Sequence, residues 1–280
     1  MSETARTFRE AKNKRKLAML TAYDYSIARI ADESGIDGIL VGDSLGMTTL
    51  GYPDTVSVTM EDMIHHCAAV SRGAKNALIV CDMPFLSSQC GPLDAARNAG
   101  RLLKEGRAQA VKMEGGAEFA PEIAAIVRAS IPVMAHIGLT PQSVHAFGGY
   151  KARGKELAEA KKILNEARAV EEAGAFSILI ECVPAPLAAL IASEVSVPVI
   201  GIGAGAGCDG QILVWQDMLG LSFGKLPKFV RKFAEVGEAM RNAFASYKAA
   251  VEKGEFPDEA HSYGMDENLA RELEKSANDG

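Results

Sequence analysis

The sequence predicts a single (β/α)8 barrel with an N-terminal capping helix. Three observations carry that prediction. Seven short apolar runs recur along the chain, and nearly continuous apolar runs mark strands buried on both faces of a parallel sheet. Helix-like segments separate the runs. Before Gly254 no linker-like break interrupts the alternation, which favours one closed barrel over a two-domain open sheet.

The elements follow in order. A helix around residues 4–13 precedes the first strand and is placed to close the barrel floor. The strands are 17–21 (LAMLT), 38–42 (GILVG), 77–82 (ALIVCD), 109–114 (QAVKME), 132–136 (PVMAH), 177–181 (SILIE) and 198–203 (PVIGIG). The eighth has no clear run and is expected within 211–224. Helix 24–34 stops at Gly35, a residue that favours helix ends. Thr59 and Asp62 form a capping box that opens helix 60–72. Helices 93–105, 118–129, 155–173 and 186–194 fill the later gaps. Phe229, Phe233, Val236, Met240, Ala243, Tyr247 and Val251 step by three or four and predict a long amphipathic helix. The expected division is one catalytic barrel domain over 1–254 and an acidic C-terminal tail over 255–280 that frays or packs on a partner subunit.

Composition narrows the function. With 48% hydrophobic and 24% charged residues, the chain is too apolar and too balanced to be disordered. Of its net charge of −6, all lies in residues 255–280, which hold eight acids and two bases; the first 254 residues are formally neutral. A mildly acidic chain without a basic patch is a poor match for nucleic acid. No stretch of about 18 uncharged apolar residues reads as a membrane span, and the N-terminus lacks the apolar core of a secretory signal. Five irregularly spaced cysteines without a CxxC pair fit free thiols in a reducing cytoplasm, with Cys81 and Cys182 packed as small hydrophobes.

The strand ends carry the chemistry. Asp43 and Ser44 follow strand two, Asp82 ends strand three, Lys112 and Glu114 end strand four, His136 ends strand five and Glu181 ends strand six. In a barrel these ends meet at the C-terminal rim, where active sites lie. Asp43, Asp82 and Glu114 come from adjacent strands, and such a set of oxygen ligands suits Mg²⁺. A bound α-keto acid would complete the coordination, and the metal would polarise its keto group. Lys112 shares a strand face with Glu114 and suits a substrate carboxylate or enolate oxygen; a Schiff base is its alternative role. Glu181, among apolar neighbours, is expected to be desolvated and poised as a general base. The glycines of GIGAG (201–205) do not fit GxGxxG and are expected to let a ligand approach the backbone. His65 and His66 are expected at the surface or an interface, and FGGYK (147–151) as a mobile lid.

The segments TAYDYSIA (21–28), VGDSLGM (41–47), DMPF (82–85), VKMEGG (111–116), HIGLTPQSV (136–144), FGGYK (147–151), ECVP (181–184), VPVIGIGAG (197–205) and DGQILV (209–214) together resemble the ketopantoate hydroxymethyltransferase family, in order, from about residue 17 to 261. The resemblance implies a phosphoenolpyruvate/pyruvate-domain-like barrel, usually a cytoplasmic homodecamer. It also implies Mg²⁺-dependent transfer of a hydroxymethyl group from 5,10-methylenetetrahydrofolate to 3-methyl-2-oxobutanoate, giving 2-dehydropantoate in pantothenate and coenzyme A biosynthesis. By motif, Asp43, Asp82 and Glu114 match the metal site. Asp43, Ser44, Asp82 and Lys112 match substrate positions, Glu181 matches the proton acceptor, and His136 lines the pocket. The tail beyond about Ser262 exceeds the core motif region. A rival reading is a Mg²⁺-dependent lyase or mutase of the phosphoenolpyruvate mutase/isocitrate lyase type, although the catalytic Cys loop of that group is not evident. A second rival is a non-catalytic barrel that senses a keto acid, which would need no desolvated base at Glu181.

Overall fold

The computed structural model describes residues 2–278. Eight parallel strands close into a barrel in sequence order: β1 (Leu17–Thr21), β2 (Gly38–Val41), β3 (Leu78–Asp82), β4 (Ala110–Glu114), β5 (Val133–Gly138), β6 (Ser177–Glu181), β7 (Val199–Ile202) and β8 (Gly210–Leu213). β8 pairs with β7 on one side and β1 on the other, which completes the ring. It begins one residue before the expected window. Its burial alternates, with Gln211 exposed, so it lacks the continuous apolar run that betrays β2–β6.

Alternation along each strand sorts residues into two layers. Ile39, Val41, Ile79, Cys81, Val111, Met113, Val133, Ala135, Ile178 and Ile180 belong to one buried cluster, with the residues of the surrounding helices. Met19, Leu40, Leu78, Val80, Ala110, Met134, Leu179, Ile200 and Ile212 belong to the other, inside the barrel. The helices between strands bury their apolar faces on the outer layer. Met60–Gly73, for example, opens with the expected Thr59–Asp62 capping box and buries Met63, Cys67 and Val70.

The floor closes as expected. The helix Ala5–Glu10 drives Phe8, fully buried, into the interior cluster beside Leu17, Leu78 and Phe176. Its ring lies edge-on to Phe176 at 6.3 Å between centroids. A Cβ on Gly38 would stand 2.8 Å from Phe8 Cζ, so glycine at the start of β2 makes room for the plug.

The C-terminal part departs from expectation. The long helix spans Val236–Glu252, and the stretch from Phe229 to Glu235 is not helical. The chain forms two compact units that divide close to Lys232 rather than at Gly254: one runs through Met218 and takes in Ser222–Lys232, the other holds Leu219–Leu221 and the chain from Phe233 on. Pro227 lies two residues before the periodic run and its carbonyl accepts from the Val230 N–H at 3.0 Å in a turn, so the chain at Phe229 is turned out of the helix and the apolar spacing there overstated it. The tail is structured within its own unit. Phe256 packs on Tyr247 and His261, each at 5.7 Å between ring centroids, and a helix follows over Glu267–Asn278.

Candidate active site

The inward files explain where the polar groups stand. Leu78 and Val80 lead two residues at a time to Asp82; Ala110 leads to Lys112 and Glu114; Met134 leads to His136; Leu179 leads to Glu181. The floor of the barrel is thus apolar and its C-terminal end ionisable. Strand register completes the placement, since Asp82 pairs across from Lys112 and Glu114 from His136.

Lys112 Nζ lies 2.9 Å from Asp82 Oδ1 and 3.1 Å from His136 Nδ1. Burial opposes a charged lysine, but Asp82, Glu114 and Asp43 around it outweigh burial and hold the ammonium protonated more firmly than usual. His136 goes the other way, since burial and the Lys112 charge both disfavour its protonation. With the ammonium donating, Nδ1 accepts and the imidazole proton sits on Nε2. Nε2 faces Glu181 Oε2 at 3.4 Å, outside hydrogen-bond geometry. His136 therefore stands between Lys112 and Glu181, a more central place than the pocket wall.

Asp43 and Asp82 share β2 and β3 ends, and the Asp43 N–H donates to Asp82 Oδ2 at 2.9 Å. Burial and then mutual repulsion raise the Asp43 carboxyl well above the ordinary carboxylate range. Burial raises Asp82 too, with Lys112 pulling against it, and pushes Glu114 up to about 7. Ser44 Oγ is 2.8 Å from the hydroxyl of Tyr23, a fully buried phenol that burial pushes up to about 12.

Glu181 differs from its expected setting. Its side chain keeps 16% exposure, so it stands at the mouth rather than sealed in apolar surroundings. Gly138 sets its position. At φ +91° a Cβ on Gly138 would lie 2.6 Å from the Glu181 carbonyl, so only glycine fits there. Cys182, next in the chain, is half-buried with φ +49° and turns the chain off the strand; of the two cysteines expected in packing roles, only Cys81 is fully buried.

Two participants escaped the sequence reading. Gln142, in the turn after β5, donates from Nε2 to Asp43 Oδ2 at 2.8 Å and to the Met83 carbonyl at 2.9 Å, and its backbone N–H donates to Glu114 Oε2 at 2.9 Å. One residue thereby braces two of the three carboxylates. Gln142→Leu removes the side-chain donor and leaves Asp43 Oδ2 short of a partner. We expect kcat/KM to fall on the order of 10–100-fold, as for other lost supports of ligand residues, with near-native circular dichroism as the control. Tyr23 is the other; it follows β1 by two residues and fixes Ser44.

Other expectations are corrected. The glycines after β7 serve packing: a Cβ on Gly203 would strike Phe229 at 2.7 Å, and one on Gly205 would strike Ala185 at 2.4 Å. His66 is partly buried and its Nδ1 lies 2.7 Å from the Tyr23 carbonyl, while His65 is exposed. In the FGGYK segment, Tyr150 reaches across to Met47, its hydroxyl 3.8 Å from the sulfur. Burial, then the nearby charges of Asp54, Asp43, Glu181 and Glu114, raise the Tyr150 phenol. That segment therefore lies in the electrostatic neighbourhood of the carboxylates.

The model of the ketopantoate hydroxymethyltransferase family matches residues 2–259. The chain belongs to this family. It is accordingly an enzyme, a transferase. The 3-methyl-2-oxobutanoate hydroxymethyltransferase of Clostridium novyi (strain NT) is 61% identical over 274 residues, covering 98% of this chain and 100% of that protein. The family model ends at residue 259, so the tail beyond about Ser262 lies outside it, while the alignment with this relative takes in most of that tail. Solved structures share the fold at low identity. A 2,3-dimethylmalate lyase, a PEP mutase/isocitrate lyase superfamily member, superposes with a TM-score of 0.59 at 17% identity, covering 100% of both chains. A phosphonopyruvate hydrolase in complex with oxalate and Mg++ gives a TM-score of 0.60 at 15% identity, covering 99% of this chain and 97% of that one.

Proposed function

We propose that this family member catalyses the reaction its relatives are named for, as 3-methyl-2-oxobutanoate hydroxymethyltransferase, with 5,10-methylenetetrahydrofolate as one-carbon donor and 2-dehydropantoate as product. The observation that carries the reading is the opposition across one rim of a solvent-reaching carboxylate, Glu181, and a buried set of Lys112, Asp43, Asp82 and Glu114, with neutral His136 between them.

Lys112 is charged and buried, so it is placed to bind the carboxylate or the developing enolate oxygen of the keto acid. Ser44, held by Tyr23, and Asp43 line the same wall. Glu181 at the mouth takes the proton from C3. The C3 carbanion, delocalised as the enolate, attacks the methylene carbon presented by the folate as its N5-iminium and forms the C–C bond. Water then adds at that carbon as the C–N5 bond breaks, so that the water oxygen becomes the product hydroxyl and tetrahydrofolate leaves with N5 taking the proton. FGGYK, whose Tyr150 reaches Met47 next to the rim residues Asp43 and Ser44, is placed to shield the enolate from bulk water.

The residues fit a divalent cation. Glu114 Oε1 is buried without a hydrogen-bond partner, Asp82 and Glu114 disfavour the charge of Asp43, and Glu114 disfavours that of Asp82. Among the described residues no three His, Cys, Asp or Glu side chains close on a single point by themselves. Mg²⁺ binds through one or two carboxylates and leaves positions for water and substrate oxygens. Asp43 and Asp82 would hold it, with Glu114 as the third carboxylate of the site. When bound, Mg²⁺ would polarise the keto group and offset the enolate charge.

Five unpaired cysteines suit a reducing cytoplasm, and among the described residues no helix is long and apolar enough to cross a membrane. Cytoplasmic location and a homodecamer, as the family resemblance implies, complete the proposal. The experiment that tests it is product analysis. Dehydropantoate is expected only when Mg²⁺, 3-methyl-2-oxobutanoate and methylenetetrahydrofolate are all present. Turnover of the keto acid without the folate would favour the lyase or mutase reading instead.

A further inference from the structure

We propose that residues 222–232 form a basic strap at the mouth of the site that binds the p-aminobenzoyl-glutamate end of the folate and any γ-linked glutamates beyond it. This rests on the function proposed above and names the part of the donor that the strap holds.

The charge pattern is the first observation. No acid occurs from 218 through 234, while Lys225, Lys228, Arg231 and Lys232 fall within eight residues. The first 254 residues are formally neutral, so the rest of that region is net negative. In the proposed function Lys112 and the cation of the rim are taken up by the keto acid, so the carboxylates at the far end of the donor need a cationic seat outside the rim.

Position is the second observation. Phe229 anchors the strap against Gly203, at φ +63°, where a Cβ would meet Phe229 Cδ1 at 2.7 Å and Cys182 Sγ at 3.3 Å. Cys182 directly follows Glu181, so the strap is seated beside the proposed proton acceptor. A second arm arrives at the same point, since the Arg153 N–H donates to the Cys182 carbonyl at 2.9 Å and carries exposed Lys151 with it.

Availability is the third. Lys225 and Lys228 are exposed, and neither forms an ion pair or hydrogen bond among the described residues. Phe223, two residues before Lys225, is 97% exposed. An aromatic ring in open solvent followed by free cations matches a ligand end made of a benzoyl ring followed by carboxylates.

The test uses full-length protein with Mg²⁺. Calorimetry measures Kd for tetrahydropteroyl-monoglutamate and -triglutamate, and kinetics measure KM for the two methylene forms. We expect the triglutamate to bind roughly three- to tenfold tighter at low salt, with the gap narrowing as salt rises. The double variant K225E/K228E should erase the gap and leave kcat and the KM for the keto acid unchanged; K225Q/K228Q should fall between. Equal binding of the two folates by the wild type, or a gap that survives K225E/K228E, overturns the strap. So does displacement of the triglutamate by inorganic phosphate at equal concentration, which would mark a general anion patch. Failure of the parent reading looks different: no dehydropantoate forms and neither folate binds. Normal turnover without a chain-length effect overturns the strap alone.

Discussion

Glu181→Gln is expected to stop exchange of the C3 hydrogen of 3-methyl-2-oxobutanoate with solvent while keto-acid binding stays within a few-fold of wild type. The exchange needs no folate, so it isolates proton removal from one-carbon transfer. Glutamine has the same shape as glutamate and keeps the place facing His136 Nε2, but it cannot accept the proton. Loss of a positioned general base costs roughly 10²–10⁴-fold in rate. Deuterium wash-in followed by proton NMR reads the effect directly, and titration of the variant with keto acid reads binding. Full-rate exchange in Glu181→Gln would remove the residue from the proton path and would leave His136 as the nearest other acceptor.

Removing the divalent cation should have a comparable effect. Chelation is expected to abolish turnover and Mg²⁺ to restore it, and the stability of the protein should respond as well. A ligand bound to the native state at 100 times its Kd adds about 2.7 kcal/mol, which a thermal melt detects. The pH dependence has a definite sign. Burial lifts Glu114 from an ordinary value of 4.5 to about 7. Between those limits the cation-free native state keeps a proton that the unfolded chain has released. Stability of the cation-free protein therefore falls as pH rises from about 4.5 to about 7. A cation among the carboxylates favours their charged forms, so the rise in Tm on adding Mg²⁺ should grow across the same window. Full activity in metal-free protein, or a Tm indifferent to Mg²⁺ at pH 7.5, would sink the assignment of Asp43 and Asp82.

Much of this was legible in the chain because burial on both faces leaves a strong mark. β2 through β6 read as unbroken apolar runs, and an ionisable residue at the end of such a run stands out. Asp82, Lys112, Glu114, His136 and Glu181 were all visible on that basis. Gln142 was not, because a neutral polar residue in a turn looks like any other loop residue; its two side-chain bonds depend on how the turn after β5 folds over β2 and β3. β8 was placed only roughly because half of its residues reach solvent. The glycines after β7 misled because glycine near a rim serves backbone packing as readily as ligand approach, and the packing partners Phe229 and Ala185 are distant in sequence. The degree of exposure of Glu181 was equally hidden, since apolar sequence neighbours say nothing about the opening above a strand end.

The shared files of packing and polar residues have one more consequence. Val80 and Asp82, or Met134 and His136, differ only in height on the same inward face. Moving a reactive group by a single position would turn it into the helix layer and put an apolar side chain in the pocket. The chemistry of this barrel can therefore be redesigned only in steps of two residues, about 6.6 Å along a strand. Any engineered change of substrate size has to come from the loops above the rim, where spacing is continuous.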